Sequence, residues 1–436
     1  MKKVFKYLLI FCGALITLLI LLFFTNLIPQ NSIKTNSEKS ALYLNEKEAL
    51  FHTVLSSEKS TTIDNYADTI LLNIVYSLDE TQPLKSALLA SYYKENWLNA
   101  NEAYKKAVTE NKAPNTPYTR YWHGEMIFLK PLLMVLDIKG IRCLNAVVLL
   151  ALLCCVGVIL FKKGQKLLLT ALILGFIIIG AFVVPLCLEY ISTFIVMLLT
   201  CVAALLIEEK GDESLLPLFF ITGMLTCFFD FLTTETITLT MPLVIVLCVR
   251  YGDGKVKDFK SGLKLSAKAG GLWGVAYTLM WLAKWTISTV VLKTNTFAPA
   301  LGQAEVRAFG SVANSLMDKY IGAIFRNIAL LFPFNFGKTY GQVILLILAV
   351  GFLVFCPLFL YKKKLKEPWF LRLLMVISIV PYIRYIALSN HSYLHYFFTY
   401  RAQLVTVTVL IYAFFCSLDK KLIYKDLKLN KIMRRC

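Results

Sequence analysis

The chain has 436 residues, of which 58% are hydrophobic and 17% charged, with a mean hydropathy of +0.65. No soluble domain of this length buries that much apolar surface, so the composition excludes a soluble globular protein and leaves an all-α polytopic membrane protein. The net charge of +19 would point to nucleic acid in a soluble chain. Here many Lys and Arg fall in short loops beside apolar runs, so the charge reports topology and no nucleic acid is expected.

In chain order, ten apolar runs read as transmembrane helices. They lie at Val4–Ile28, Ile141–Phe161, Leu167–Val184, Leu186–Ile207, Leu215–Phe229, Ile237–Val249, Gly271–Leu292, Val343–Tyr361, Trp369–Leu388 and Ala402–Phe415. The fifth and sixth are short and could tilt or break. Residues 1–28 form an uncleaved anchor, because the apolar run exceeds a signal-peptide core and no small-x-small site follows it. With the N-terminus inside, Lys2-Lys3, Lys162-Lys163, the Arg250–Lys268 connection, Lys362-Lys363-Lys364 and the basic tail 417–436 all fall on the cytoplasmic side. This predicts a multi-pass plasma-membrane protein with both termini cytoplasmic. It has an extracytoplasmic first-loop domain at 29–139 and a multi-span domain at 140–416 that carries an outer loop at 293–342.

The first loop reads as a small helical domain. Gln30–Ser40 is a polar, mobile stretch, and Ala41–Leu55 and Thr62–Leu78 show helical spacing. Asp64 stands where an N-cap belongs and Asp68 one turn later, so both carboxylates project from one helix end. Leu84–Val108 continues as amphipathic helix. Pro114 and Pro117 lead into Tyr118-Thr-Arg-Tyr-Trp-His-Gly-Glu125, and Met126–Leu136 reads as a short interfacial helix interrupted by Pro131. None of the 11 cysteines lies in an outer loop, so no disulfide framework or zinc spacing is present.

The predicted orientation sends all four histidines outward and gathers polar groups from distant segments at one membrane face. Asn390–Arg401 supplies His391, His395 and Arg401 between two apolar runs, where ionisable groups mark a functional site by default. The first loop adds Asp64, Asp68, Asp79-Glu80, Arg120, His123 and Glu125, and later turns add Glu189, Asp230, Glu235, Arg307 and Arg326. Arginines hold a phosphate bidentately, and a carboxylate can take the proton from an acceptor hydroxyl as a glycosidic bond forms. Each residue also has a plainer role. Asp64 could serve only as a cap, Asp68 as a helix-dipole partner and Asp230 as an ion-pair member. Tyr121 and Trp122 could belong to an aromatic belt. No cofactor is implied, though His391 and His395, four apart, could share a divalent cation. No Walker, dinucleotide or Gly-x-Ser-x-Gly signature is present.

A first span, a large acidic-motif loop of amphipathic helices, many further spans and a later basic, aromatic loop together resemble the GT-C class of integral-membrane glycosyltransferases. That resemblance covers nearly the whole chain as architecture. It implies a polyprenyl-phosphate-linked sugar donor, a glycan or other cell-envelope acceptor, and a general base in the first outer loop. By position the base is Asp68 or Asp64 of Asp64-Asn-Tyr-Ala-Asp68, with Asp79-Glu80 behind them. Phosphate and substrate binding then fall to Arg120, His123, Asp230, His391, His395 and Arg401. The Tyr-Trp-His-Gly and Asn-His-Ser-x-x-His runs are also similar to those of uncharacterised bacterial multi-pass membrane proteins, which bring no activity with them. The competing reading is a flippase for lipid-linked oligosaccharides, or a non-catalytic envelope-assembly protein. A transporter is expected to bury charge at the bilayer midplane, where only Lys284 stands out here.

Overall fold

The computed structural model describes residues 2–54, 59–310, 315–331, 351 and 368–417. The chain is an all-α multi-pass membrane protein, and its described residues include a single two-residue strand pair, β1 (His52–Thr53) with β2 (Thr62–Ile63). Among the described residues, seven helical segments are long and apolar enough to cross a membrane. They are Val4–Asn26, Ile138–Lys162, Leu188–Lys210, Asp212–Phe229, Phe259–Leu292, Trp369–Ala387 and Tyr396–Cys416. Two shorter apolar helices, Lys166–Ile178 and Ile237–Gly252, pack among them. The eighth expected span, Val343–Tyr361, apart from Gly351, and the tail beyond Ser417 lie outside the described residues.

The first helix, α1 (Lys2–Asn26), leads into a helical loop domain. Gln30–Ser40 is not the unstructured stretch expected from its polarity. It opens α2 (Gln30–Asn45), whose buried face is Ile33, Ser37, Ser40, Ala41 and Leu44. Two of those residues are serines, small enough to pack yet polar enough to be read as solvent-facing. Ser40 also accepts a bond from the Ile138 amide at 2.9 Å, tying α2 to the start of a membrane helix. The helical spacing at Ala41–Leu55 ends at Asn45 and gives way to β1, and pairing of Thr62-Ile63 delays the next helix to α3 (Asn65–Tyr76). The expected helix Leu84–Val108 is split into α4 (Pro83–Leu89) and α5 (Ala100–Thr109). Ala90 adopts a left-handed conformation (φ 46°), and Asn99 starts the second piece with a reciprocal capping box to Glu102. The stretch Met126–Leu136, expected as a short helix interrupted by Pro131, forms α6 (Met126–Leu133) with Pro131 inside and Phe128 exposed.

The membrane-spanning part comprises α7 (Ile138–Lys162), α8 (Lys166–Ile178), α9 (Leu188–Ile207), α10 (Asp212–Phe229), α11 (Ile237–Gly252) and α12 (Phe259–Leu292), followed by the C-terminal helices. The expected third span, Leu167–Val184, is broken at Gly180. Its φ of +63° ends α8, and a 3₁₀ turn over Ala181–Leu186 follows. Helices α10 and α12 approach most closely at Gly223, where any Cβ would overlap the Trp273 carbonyl, the small-residue contact by which membrane helices pack.

Helix α9 acts as a ruler between the two ends of the bundle. At its start the Leu188 amide donates to Asp68 of α3 at 2.8 Å. Just past its end, the enclosed Glu208 meets Lys163 at 3.0 Å, Lys255 at 3.2 Å and Arg250 at 3.8 Å. Twenty residues at roughly 1.5 Å each separate these points by about 30 Å, the thickness of a hydrocarbon core. The basic connections thus gather at one end and the loop domain at the other. Replacing Glu208 by Gln removes the carboxylate that Lys163 and Lys255 share, while Arg250 keeps Asp212 at 2.6 Å. The expected loss is about 2 kcal/mol of stability, read as a lower Tm in detergent. Glu209→Gln, at a side chain 72% exposed, is expected to shift stability by less than about 0.5 kcal/mol.

Candidate functional site

Several sequence-expected residues meet in a cavity of about 210 Å³ where the loop domain caps the membrane helices. The start of helix α3 contributes Asp64, Tyr66 and Ala67, and the turns between α5 and α6 contribute Tyr118, Arg120, Tyr121 and His123. Glu189 comes from the first turn of α9, Arg307 from α13 (Phe297–Phe309), and His391 and His395 from the segment before the last span.

The two candidate bases have different surroundings. Asp64 is the N-cap of α3, and its Oδ1 accepts from the Ala67 amide at 2.9 Å. It lines the cavity although only 6% exposed. Burial, and secondarily the neighbouring Asp68, raise its pKa to about 7. Asp68 is fully enclosed, and both oxygens are occupied. Arg142 Nη2 lies 2.9 Å from Oδ2, while the Leu188 amide and the Cys187 thiol donate to Oδ1 at 2.8 and 3.1 Å. The expectation that Asp68 serves as a base therefore meets a carboxylate turned away from the cavity, joining α3 to α7 and α9.

Arg120, His123 and their aromatic neighbours are held by α12. The Trp285 indole donates to the Arg120 carbonyl at 3.2 Å, the Trp122 indole donates to the Met280 carbonyl at 3.0 Å, and Lys284 donates to the Leu88 carbonyl at 2.9 Å. Lys284 is thus a strut for the loop domain. His123 sits at φ 53°, a conformation uncommon outside glycine, and Gly124 follows with its amide on the Phe228 carbonyl at 3.0 Å. A Cβ at position 124 would collide with the Phe228 ring and carbonyl, which accounts for glycine in the Trp-His-Gly run. The His123 ring lies among Tyr118, Tyr121 and Phe231, with neither nitrogen hydrogen-bonded. Burial, then Lys284 and Arg120, hold its pKa well below the usual value, so the imidazole is neutral and free to meet a ligand.

Arg120 stacks on Tyr118 at 4.2 Å and donates to its hydroxyl at 2.9 Å, while Arg307 lies 5.7 Å from the Tyr121 ring. The Nε of each arginine is buried without a partner, and neither residue forms an ion pair among the described residues. The rings of His391 and His395 lie 4.6 Å apart, as a spacing of four on one face predicts. Arg384, paired with Glu235 at 2.8 Å, points a guanidinium nitrogen at His391 Nδ1, 3.3 Å away. Arginine only donates, so His391 accepts there and is neutral. Burial lowers its pKa, and burial aided by Arg307 brings His395 to about 4.

Arg401, Asp230 and Asp79 are among the expected residues that do not reach the cavity. Arg401 is buried and donates to the Ser60 and Phe397 carbonyls at 2.8 and 3.3 Å, clamping the C-terminal segment to the first loop. Asp230 accepts from the hydroxyls of Thr193 and Thr233 and from the Thr233 amide, closing the turn after α10. Asp79 caps its own turn through Thr81 at 2.8 Å. Tyr66, Tyr118 and Phe231 line the cavity without having been singled out. The position of Tyr118 carries no periodic signal, because it leads into a turn at Thr119–Arg120 rather than lying in a helix or strand.

Among the described residues, no group of three or more His, Cys, Asp and Glu side chains is placed to hold a metal ion. No family model, no curated protein and no solved structure matches this chain.

The difference between the two aspartates has a direct test. In Asp68→Asn the amide must turn its donors toward either Arg142 or the Leu188 amide, both already donors. The expected loss is about 3–5 kcal/mol, seen as a lower Tm of the detergent-solubilised chain.

Proposed function

We propose that this chain transfers a sugar from a polyprenyl-phosphate-linked donor to an acceptor hydroxyl at the extracytoplasmic face of the plasma membrane, as the GT-C architecture would. The observation that carries the reading is the meeting, in one small cavity, of a carboxyl with pKa near 7 and two arginines without carboxylate partners. Arg120 and Arg307 grip the donor phosphate. Asp64 takes the acceptor proton as the acceptor oxygen bonds to the anomeric carbon, and the bond from that carbon to the phosphate oxygen breaks, leaving polyprenyl phosphate. Neutral His123 and His391 hydrogen-bond to the sugar or the leaving phosphate without adding charge. The cavity lies below the roughly 300–1,000 Å³ usual for larger ligands, which suits one sugar ring.

A second observation supports a lipid-borne donor. A groove of about 720 Å³ runs between α7, α9 and α10, lined by Val148, Ile195, Leu199 and Leu225, with Glu125 at its upper end. It adjoins the cavity in sequence, since Leu188 and Glu125 line the groove while Glu189 and His123 line the cavity. An isoprenoid chain fits such walls, whereas a soluble nucleotide-sugar gains nothing from them.

A base must be deprotonated to act, so transfer should rise with pH through about 7. Asp64→Asn keeps the helix cap, because Asn caps as well as Asp. It also removes a buried carboxyl whose raised pKa costs stability as pH rises from 3.8 to about 7. The expected outcome is kcat down about 10²–10⁴-fold with Tm at pH 8 not lowered, measured with purified chain in proteoliposomes supplied with a polyprenyl-phosphate sugar. Full transfer by Asp64→Asn would refute the assignment.

A further inference from the structure

A second concavity, of about 400 Å³, lies across the first turn of α3 from the cavity just described. Its polar lining consists of groups that can donate, together with one tyrosine. Lys47 and Lys139 both place their ammonium groups over the ring of Tyr43, at 5.1 and 4.4 Å. Neither lysine has a carboxylate within ion-pair distance among the described residues. Arg142 and Asn65 line the same space while 8% and 1% exposed. Arg142 spends one nitrogen on Asp68 and Asn65, leaving its Nε without an acceptor, and the Asn65 amide nitrogen also lacks one. His52 Nδ1, at the rim, is buried and unpartnered as well. Among the described residues, no carboxylate lines the space.

The placement of these charges calls for an anion. The first turn of a helix favours negative groups, yet α7 carries Lys139 and Arg142 within its first five residues, with only Asp137 as its cap. Two ammonium groups on one ring, beside a helix start and an arginine, repel one another until something negative lies between them.

The surroundings say where the anion comes from. The concavity opens past Cys143, which is exposed, and Val147 and Leu150 continue the same face of α7 at 59% and 62% exposure. Spacing of i, i+4, i+7 makes them one apolar stripe along a membrane-crossing helix, beginning at the cationic pocket. A group with a phosphate at one end and hydrocarbon running from it matches both halves.

We infer that Lys47, Lys139, Arg142 and Asn65 form a binding site for the phosphate of an anionic membrane lipid, whose chains lie along the Cys143–Leu150 face of α7. The site is separate from the Asp64 cavity and does not depend on its chemistry. A lipid seated there braces α7 against α2 and α3 from outside, at the level where Arg142 meets Asp68.

The test uses the full chain reconstituted in nanodiscs of phosphatidylcholine, alone, with phosphatidylglycerol, or with inorganic phosphate. Native mass spectrometry reads retained lipid, and peptide mapping reads the rate at which maleimide modifies Cys143. Phosphatidylglycerol should be retained over phosphatidylcholine and should slow Cys143 modification. Lys47→Gln/Lys139→Gln should weaken its apparent affinity roughly 30-fold, at about a factor of five per lysine. The equal-charge control Lys85→Gln/Lys112→Gln should bind as the parent chain does. Protection by phosphatidylglycerol alone identifies the lipid as the source. Protection by inorganic phosphate as well also supports the phosphate site and shows that the bare group suffices. Equal retention by the parent chain and the Lys47/Lys139 variant, or no preference for phosphatidylglycerol, would overturn the inference.

Discussion

The fold of the loop domain onto the membrane helices depends on the enclosed carboxylate of Asp68. It receives Arg142 from α7 and both the Leu188 amide and the Cys187 thiol from the start of α9, so two segments converge on one side chain of α3. A buried carboxylate left unpaired costs several kcal/mol, whereas one fully surrounded by donors fixes the groups that surround it. Because Asp68 is held this way, the first turn of α3 is held too, and with it the Asp64 cap one turn earlier. The junction therefore positions the cavity without taking part in its chemistry.

Around that fixed turn, burial sets the charge state of the site. His123 and His391 are neutral because desolvation and nearby cations disfavour the imidazolium, and His395 follows the same rule. Two arginines with buried, unpartnered Nε atoms then supply the cavity's positive charge, against Asp64 and Glu189. In the transfer we propose, a site of this composition binds a phosphate at one side and handles a proton at the other. In that proposal the groove between α7, α9 and α10 is the approach of a lipid-borne phosphate from the bilayer.

Reading the sequence recovered what local spacing encodes. The apolar runs, the Asp64 cap, the short Pro131 helix and the shared face of His391 and His395 all follow from residue type at a fixed interval. It missed what depends on partners far along the chain. Asp64 and Asp68 look equivalent one turn apart, and only Arg142, 74 positions later, separates their roles. Arg401 looked like a phosphate ligand because a lone guanidinium between spans needs an anion, yet its two terminal nitrogens donate to the backbone carbonyls of Phe397 and Ser60 and its side chain lines no part of the cavity. The helix at Gln30–Asn45 escaped notice because its buried face uses Ser37 and Ser40, which carry no hydrophobic signal. The break at Ala90 rests on a left-handed residue that alanine seldom supplies.

We propose that the cavity lined by Asp64, Arg120, His123, Arg307 and His391 receives a phosphate-linked sugar from the membrane side. The most direct test is an experimental structure of the chain in nanodiscs with a non-hydrolysable polyprenyl-phosphate sugar analogue. The predicted result is phosphate density within hydrogen-bond reach of both Arg120 and Arg307, with the isoprenoid chain entering the groove beside Glu125. An analogue bound elsewhere, with this cavity holding only water, would contradict it.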